Sequence, residues 1–190
     1  DTAGNNATCS FDVIVLDVTN PEITCPSDIR VDLESGQCSA FVTYAAPWGA
    51  DDCDPNTPLT PDQDAGFASC ASLPVGTTTQ TYTVVDSAGN KATCSFNVIV
   101  VDVTSPEITC PSNILVDLES ELCSAAVTFA APGVTDNCVG ATTTLSAGLA
   151  SGATFPVGTT AQTYTVVDQA GNWATCSFDV IVSDMTDPEI

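Results

Sequence analysis

Short runs in which apolar and polar residues alternate cover most of this chain, and they predict β-strands. Within residues 92–100, Cys94, Phe96, Val98 and Val100 fall on one face of an extended segment. Similar alternation occurs at residues 29–34 and 38–44, and again at residues 123–129. No segment shows a sustained 3.6-residue apolar period, and turns rich in Gly, Pro, Asn and Asp separate the runs. The pattern therefore predicts an all-β protein built from sandwiches.

One stretch of sequence occurs three times, beginning at Asp1, Asp86 and Asp168. Each copy contains an Asp-x-Ala-Gly-Asn turn, a strand, an Asp-x-Thr-x-Pro link and a Pro-Glu-Ile segment that opens another strand. The copied unit therefore joins the last strand of one domain to the first strand of the next. Spacings of 85 and 82 residues between the copies have the length of a domain, not of a solenoid repeat.

These copies divide the chain into four predicted segments. Residues 1–18 would be the C-terminal strand of a preceding repeat, and residues 185–190 the start of a following one. Two full domains lie between them, at residues 19–102 and 103–184. We expect the chain to be part of a longer array of such domains.

Several motifs in a fixed order carry a family resemblance. They are Pro-Glu-Ile-x-Cys-Pro-Ser-x-Ile at residues 106–114, Asp-Asn-Cys at 136–138, Phe-Pro-Val-Gly-Thr-Thr at 155–160 and Asp-x-Ala-Gly-Asn-x-Ala-Thr-Cys-Ser-Phe at 168–178. This combination resembles the HYR domain, or hyalin repeat, and covers both full domains and the N-terminal fragment. The first domain departs from it, with Asp51-Asp52-Cys53 in place of Asp-Asn-Cys and a Pro-rich loop after it. The resemblance implies tandem immunoglobulin-like β-sandwiches in extracellular proteins, with adhesive or structural roles and no known catalysis.

The charge of the chain excludes several classes of function. Twenty-four acidic residues against two basic ones, Arg30 and Lys91, give a formal net charge of −22. A nucleic-acid backbone would find almost no cationic partner, whereas cations would be strongly attracted. No apolar run reaches membrane-spanning length, so we expect no membrane insertion within this sequence. The absence of His removes Ser-His-Asp and Cys-His sites, and the acids lie in turns and links, so we predict no enzymatic activity.

Ten cysteines, none of them in a Cys-x-x-Cys pair, predict structural disulfides and an extracellular or cell-surface location. Because first and last strands are neighbours in an immunoglobulin-like sandwich, we favour pairing within each domain. The predicted disulfides are Cys25–Cys94, Cys38–Cys53, Cys110–Cys176 and Cys123–Cys138.

An alternative scheme pairs cysteines across the links, as Cys9–Cys25 and Cys94–Cys110, and would staple one domain to the next. On the favoured scheme, Cys9 and Cys70 remain unpaired. Cys70 would then either be a buried free thiol or form a disulfide with another chain.

Acidic residues cluster where the chain enters each predicted domain. The link, the loop after the second predicted strand and the last turn all lie at that end of an immunoglobulin-like sandwich. Hard oxygens from separate segments suit Ca²⁺, which takes six to eight such ligands. The candidate ligands are Asp17, Glu22, Asp51, Asp52, Asp86, Asp102, Glu107, Asp136, Asn137 and Asp168.

Two other interpretations of these acids remain open. The same residues are common as solvated surface acids and turn formers. A separate candidate, Asp52-x-Asp54-x-Asn56, begins like an EF-hand loop but lacks its Gly and closing Glu.

The sequence favours an extracellular structural or adhesive tandem-repeat protein that forms or belongs to a fibre or stalk. Disulfides and Ca²⁺ would stiffen it, and its partners would be neighbouring repeats or further copies of itself. Asn6 lies in an intact N-glycosylation sequon, Asn6-Ala7-Thr8. One alternative is a surface binding module, an adhesin or receptor ectodomain, that recognises glycans or proteins through residues 45–66. A second alternative is a set of accessory domains of a secreted hydrolase.

Overall fold

The structure is a computed structural model that describes residues 2–34, 36–118 and 122–185. Within these ranges the regular secondary structure consists of sixteen β-strands and no helix. The predicted all-β class is therefore confirmed. Residues 186–190, which the sequence assigns to the start of a following repeat, lie outside the described ranges.

The first repeat contributes eight strands. They are β1 (Glu22–Thr24), β2 (Ile29–Asp32), β3 (Ser39–Val42), β4 (Trp48–Ala50), β5 (Asp62–Ala65), β6 (Ala71–Pro74), β7 (Gly76–Val85) and β8 (Lys91–Val101). A four-stranded sheet has the order β2-β8-β7-β5, and two short sheets pair β1 with β4 and β3 with β6.

The second repeat contributes eight strands in the same order. They are β9 (Glu107–Thr109), β10 (Ile114–Leu118), β11 (Ser124–Ala126), β12 (Gly133–Thr135), β13 (Thr142–Ala147), β14 (Thr154–Pro156), β15 (Gly158–Val167) and β16 (Trp173–Asp184). The sheets are β10-β16-β15-β13, β11-β14 and β9-β12. Strand β10 runs parallel to β16, from Ile114↔Val180 to Leu118↔Asp184, so a strand near the start of the repeat lies beside the last one.

The long hairpin of β15 and β16 organises the second repeat. Its ladder runs from Gly158↔Val182 to Val167↔Trp173, and the five-residue turn 168–172 closes it. Along β16 every second side chain points inward, so Phe178, Val180 and Val182 are at most 3% exposed. They pack against Phe155, Val127 and Leu118, and the ring of Phe129 meets Phe178 edge to face at 5.1 Å. The alternation seen in the sequence thus forms the core.

Contacts group the described chain into two compact units. One unit comprises residues 2–29, 43–71 and 78–98, and the other residues 30–42, 72–77 and 99–185. In the first unit, Tyr44 and Tyr82 lie against Phe96 with ring centroids 5.1 and 6.4 Å away. Burial and a hydrogen bond to Tyr82 raise the pKa of the Tyr44 phenol above its ordinary value. The second unit contains the whole described second repeat together with three segments of the first, which include the end of β8.

Two details of the predicted secondary structure differ from the structure. Residues 5–21 contain no strand, and Phe11 and Val13 to Leu16 are 75–90% exposed. An extended segment needs a neighbouring strand to satisfy its backbone, and no described strand pairs with this one. The strand predicted at residues 7–15 is therefore not formed, and its assignment to a preceding repeat remains a prediction. For residues 45–66 the sequence predicts mostly loop around one short strand, whereas the structure has two strands there, β4 and β5.

Candidate functional site

Three carboxylates meet where the chain enters the second repeat. Asp102 lies in the link after β8, Asp136 follows β12, and Asp168 follows β15. One oxygen from each lies within 4.8 Å of the others. Asp102 is only 3% exposed and Asp168 only 7%, so two of the three carboxylates are shielded from water. The short sheet of β9 and β12 positions the third, because its Glu107↔Thr135 pair places the loop beside the link.

Asn172 holds two of these segments together. Its backbone N–H donates to Asp168 Oδ1 at 2.8 Å, and its side-chain amide donates to Asp168 Oδ2 at 2.8 Å. The same amide nitrogen donates to the carbonyl oxygen of Asp102 at 3.1 Å. The last turn of the repeat is thereby tied to the link that precedes the repeat.

Asn137 fixes the loop to the same link. Its amide nitrogen donates to Asp102 Oδ1 at 3.1 Å and to the carbonyl oxygen of Gln37 at 2.7 Å. Asp102 Oδ1 also accepts the backbone N–H of Thr104 at 3.0 Å. The carboxylate of Asp102 is therefore held in one orientation.

Two oxygens of this cluster lack partners. Asp136 Oδ1 and Asn137 Oδ1 are shielded from solvent and accept no hydrogen bond from the described part of the chain. A buried acceptor is normally satisfied by a protein donor, an ordered water or an ion, and it costs stability when it is not. In the described ranges, Arg30 forms an ion pair with Asp32 at 2.9 Å, and both side chains are exposed. The guanidinium of Arg30 therefore does not neutralise the carboxylate cluster. Three carboxylates whose oxygens lie this close together fit a hard, oxygen-seeking cation such as Ca²⁺.

The first repeat contains a related arrangement in the other compact unit. Asp17, Asp51 and Cys53 each offer one ligand atom within 4.8 Å of the others. Asp86 is 6% exposed and accepts both the backbone N–H and the amide N–H of Asn90 at 2.8 Å. Asn90 also donates to the carbonyl oxygen of Asp17 at 3.3 Å. The Asp–Asn tie between the last turn and the link is thus present in both repeats.

The surroundings of Asp86 change its acidity. Burial by itself disfavours the ionised carboxylate, but the hydrogen bonds from the side chain and backbone of Asn90 outweigh it. The pKa of Asp86 therefore lies below its ordinary value. The carboxylate stays ionised when the pH falls to values at which an ordinary aspartate is partly protonated.

The remaining predicted ligands lie beside these clusters. Glu22, at the start of β1, shares an open depression with Asp51 and Asp52. Glu107, at the start of β9, shares one with Asp136 and Asn137. Both glutamates are exposed, so each is at the rim of its site.

The EF-hand-like candidate is engaged in a turn instead. Asp54 Oδ1 accepts the backbone N–H of Asn56 at 2.7 Å, and its Oδ2 accepts that of Ser87 at 2.8 Å. With both oxygens so engaged, the segment matches the turn-forming interpretation.

Disulfides link three pairs of cysteines in the described ranges. Cys25–Cys94 and Cys110–Cys176 join the start of each repeat to its last strand, and both are pairs that the sequence favours. The third disulfide is Cys38–Cys138, whose Cα atoms lie 5.1 Å apart.

This third pair corrects two predictions. Cys38–Cys53 and Cys123–Cys138 are wrong, and the alternative pairs Cys9–Cys25 and Cys94–Cys110 are not formed either. Cys9, Cys53, Cys70 and Cys123 are free and exposed. The alternative in which Cys70 is a buried free thiol is therefore wrong, and a bond from Cys70 to another chain stays a prediction.

The second repeat shows why its second and third cysteines do not pair. Cys138 follows Asn137, which bonds to Asp102 in the link that enters the repeat. Cys123 comes after β10, whose last residue, Leu118, lies opposite Asp184 where the chain leaves the repeat. One cysteine is therefore placed with the entry of the repeat and the other with its exit.

Sequence reasoning missed the roles of Asn90 and Asn172, which it took only as turn formers. The signal was present, because Asp-x-Ala-Gly-Asn recurs with unchanged spacing in all three copies. It also missed Gln80 and Gln162, both fully buried, whose Oε1 atoms accept the backbone N–H of Phe67 and Leu149 at 2.8 Å. Asn6 is exposed, and its glycosylation remains a prediction.

Fold and site together define a class: tandem, disulfide-bonded β-sandwich repeats with carboxylates gathered at the links. The HYR domain model matches residues 16–100 and 101–182. Because these matches cover most of the sequence, the chain belongs to the HYR domain family.

Relatives with known names agree with this assignment. The chain is 35% identical over 189 residues to hyalin of Strongylocentrotus purpuratus, covering 96% of this chain and 15% of that protein. It is 34% identical over 199 residues to hyalin of Lytechinus variegatus, covering all of this chain and 37% of that protein. A sushi, von Willebrand factor type A, EGF and pentraxin domain-containing protein 1 of Rattus norvegicus is 32% identical over 167 residues, which cover 87% of this chain and 4% of that protein. The chain thus spans a minor part of each relative.

Solved structures resemble the chain only distantly. The protocadherin GammaB4 extracellular domain matches with 14% identity and a TM-score of 0.37, covering 86% of this chain and 33% of that one. Human protocadherin-24 EC1-2 matches with 13% identity and a TM-score of 0.35, covering 87% and 100%. Similarity at this level carries no conclusion.

Family membership places the chain among extracellular, non-enzymatic, adhesion-type repeat proteins. The three disulfides are consistent with that location. In the part of the chain that the structure describes, no helix has the length and apolar character needed to cross a membrane.

Proposed function

We propose that these repeats act as a stiff spacer in an extracellular fibre or stalk, with each link locked by Ca²⁺ and by a disulfide. The observation that carries the proposal is the loop 136–138, where a candidate metal ligand and a disulfide are close together in sequence. Asp136 belongs to the carboxylate cluster, and Cys138 forms a disulfide with Cys38 of the first repeat. Restraints on one short loop from both sides restrict motion at the link.

Calcium would compensate the charge of the cluster. Three carboxylates with oxygens within 4.8 Å repel one another, and two of them are more than 90% buried. Asp102, Asp136, Asn137 and Asp168 offer the oxygens that would hold the ion. Because the unpaired Oδ1 atoms of Asp136 and Asn137 are among them, the ion would satisfy the acceptors left without hydrogen bonds.

The size of the effect follows from mass action. Extracellular calcium modules bind with dissociation constants of about 10⁻⁴–10⁻³ M. At about 10 mM Ca²⁺, such a site stabilises the folded repeat by roughly 1.4–2.7 kcal/mol. For a repeat of this length, that corresponds to an increase in melting temperature of about 6–20 °C.

The test compares thermal unfolding in a chelator with unfolding in 10 mM Ca²⁺ (about 10 Kd or more). A Trp48→Phe background leaves Trp173, at the start of β16, as the fluorescent reporter of the second repeat. We expect Ca²⁺ to raise its melting temperature. Asp136→Asn should abolish most of that increase, since it removes a ligand charge while an oxygen remains to accept the N–H of Cys138.

Asp117→Asn is the matched control, because Asp117 is an exposed carboxylate on β10 outside the cluster. It should leave the response to Ca²⁺ unchanged. An equal response in the Asp136 and Asp117 variants, or no response in the parent chain, would refute the calcium site. The fibre is tested separately by electron microscopy of native material, where isolated short particles instead of filaments would argue against it.

A further inference from the structure

Two pairs of cysteines occupy matching positions in the two repeats. Cys38 and Cys123 are 85 residues apart, and so are Cys53 and Cys138. The strand pairing has the same spacing, since Glu22↔Ala50 in the first repeat corresponds to Glu107↔Thr135 in the second. Each matching pair therefore has the same position relative to the strands around it.

The local conformation of the third cysteine is also shared. The backbone N–H of Cys53 donates to Asp51 Oδ2 at 2.9 Å, and that of Cys138 donates to Asp136 Oδ2 at 3.2 Å. The turn that presents Cys138 to its disulfide partner is thus already formed around Cys53. The matching cysteines differ in their bonding. Cys138 and Cys38 form a disulfide with each other, whereas Cys53 and Cys123 are free and exposed.

We propose that Cys53 and Cys123 each form this same disulfide with the complementary cysteine of another HYR repeat. Cys53 would bond to a cysteine in the position of Cys38, and Cys123 to one in the position of Cys138. Between two copies of this chain, the complementary residues are Cys123 of one copy and Cys53 of the other. The sulfur bonds would then continue through the array, with one at every link.

The chemistry requires an oxidant, and a small-molecule disulfide such as oxidised glutathione serves. One protein thiolate attacks the glutathione disulfide and releases one glutathione thiol. The second protein thiolate then attacks the mixed disulfide and releases the other. Two protein thiols are oxidised to one disulfide, and one glutathione disulfide is reduced to two thiols.

Since the thiolate is the attacking species, the exchange is best run near the ordinary thiol pKa, at about pH 8.5.

The test uses the full 190-residue chain with its other free thiols removed. The substitutions are Cys9→Ser and Cys70→Gly. Glycine suits position 70 because the backbone there has a φ of 70°, and the matching turn of the second repeat has Gly152 with a φ of 87°. In a glutathione redox buffer we expect a ladder of oligomers that collapses on reduction. Unreduced peptide mapping should find Cys53 joined to Cys123.

Complementary variants make the test specific. Cys53→Ser alone and Cys123→Ser alone should each remain monomeric, whereas an equimolar mixture should yield dimers joined through the two remaining thiols. Cys53–Cys53 and Cys123–Cys123 bonds at a yield equal to that of the mixed bond would overturn the inference, as would no bond at all. A map showing Cys38–Cys53 or Cys123–Cys138 within one chain would overturn it too.

A lengthened chain distinguishes the two sources of the partner. Residues 188–190 and residues 21–23 have the same sequence, Pro-Glu-Ile. A copy of residues 24–101 added after Ile190 therefore continues the chain into a neighbouring repeat. If neighbouring repeats supply the thiol, Cys123 should bond within the chain to the added copy of Cys53. If Cys123 bonds only to separate molecules, the partner is a second copy. If it bonds to neither, the inference is wrong.

The inference rests on the proposed role as a repeat array, but the two can fail separately. A chain that responds to Ca²⁺ and forms no such bond would refute only the disulfide continuation. A chain that forms the bond without responding to Ca²⁺ would refute only the metal site.

Discussion

Replacing Asn172 with alanine tests whether one amide ties the last turn of the second repeat to its incoming link. The side-chain nitrogen donates to Asp168 Oδ2 at 2.8 Å and to the carbonyl oxygen of Asp102 at 3.1 Å. Both hydrogen bonds are lost in Asn172→Ala. The backbone N–H of residue 172 remains to donate to Asp168 Oδ1, so the turn itself should persist.

The expected loss of stability depends on the acceptor of each hydrogen bond, which is a charged carboxylate at Asp168 and a neutral carbonyl at Asp102. A hydrogen bond to a charged group contributes about 1.5–3 kcal/mol, and one between neutral groups about 0.5–1.5 kcal/mol. Asp168 is 7% exposed, so water cannot readily replace the missing donor. We therefore expect Asn172→Ala to lower the free energy of unfolding by about 2–4 kcal/mol. For a domain of this size, the melting temperature should fall by about 8–30 °C.

The assay is thermal unfolding of the Trp48→Phe background, followed through Trp173 in a chelator so that Ca²⁺ does not contribute. Gln169→Ala is the matched control, because Gln169 is an exposed amide in the same turn. Its effect should stay within about 0.5 kcal/mol. A loss of less than about 1 kcal/mol in Asn172→Ala, or equal losses in both variants, would show that the amide does not hold the turn to the link.

Two further predictions concern the acid response and the turn that packs on the buried side chain of Gln162. Because hydrogen bonds from Asn90 lower the pKa of Asp86 in spite of its burial, its contribution to stability is complete above the ordinary carboxyl pKa of about 4 and is lost as the pH falls through the lower folded value. Asn90→Ala should therefore reduce the loss of stability on acidification. The measurement is unfolding between about pH 7 and pH 2, roughly the span over which carboxyl groups titrate. An unchanged pH profile would contradict this assignment. Gly148→Ala should destabilise the second repeat by about 2 kcal/mol or more, because φ is +102° and a Cβ would lie 2.3 Å from Oε1 of Gln162. Gly152→Ala, at φ +87° with no atom within 4 Å of its Cβ, should lose only about 1 kcal/mol in the same melting assay, and equal losses would refute the steric argument.

Much of the fold was predictable because strand alternation and burial have the same two-residue period. Phe96, Val98 and Val100 alternate in the sequence and are at most 2% exposed in β8. The N-terminal copy has the same alternation but forms no strand, because hydrogen-bonded neighbours, and not the pattern alone, make a strand. A periodic pattern therefore predicts a strand only where the chain also supplies its partner.

The carboxylate cluster was predictable in part, because the sandwich topology places the link, one loop and the last turn together. Asp102, Asp136 and Asp168 meet as that topology implies. Which oxygens remain without a hydrogen bond depends on side-chain orientation, so the unpaired Oδ1 atoms of Asp136 and Asn137 could not be inferred from the sequence.

The cysteine pairing could not be obtained by matching cysteines within one repeat, and the reason is geometric. Strand β12 runs antiparallel to β9, the strand that follows the entry link, so by the end of β12 the chain has returned to the entry, where Cys138 lies. Cys123 instead follows the exit end of β10. In a tandem chain, the exit of one repeat leads directly into the entry of the next. A cysteine at the exit therefore meets the entry cysteine of the following repeat, as Cys38 meets Cys138. Pairing shifted by one repeat is what a linear array makes possible and a single domain does not.

The loop 136–138 shows how little sequence such a junction needs. Asp136 joins the carboxylate cluster, Asn137 donates to Asp102 and Gln37, and Cys138 forms the disulfide. In the first repeat the same loop reads Asp51-Asp52-Cys53, which keeps the carboxylate and the thiol and replaces the amide. An aspartate at position 52 cannot donate to a carbonyl oxygen as Asn137 does, and it adds a negative charge beside Asp17 and Asp51. A junction built on that loop would depend more on cations and on its sulfur bond, and less on hydrogen bonds, than the one the structure shows.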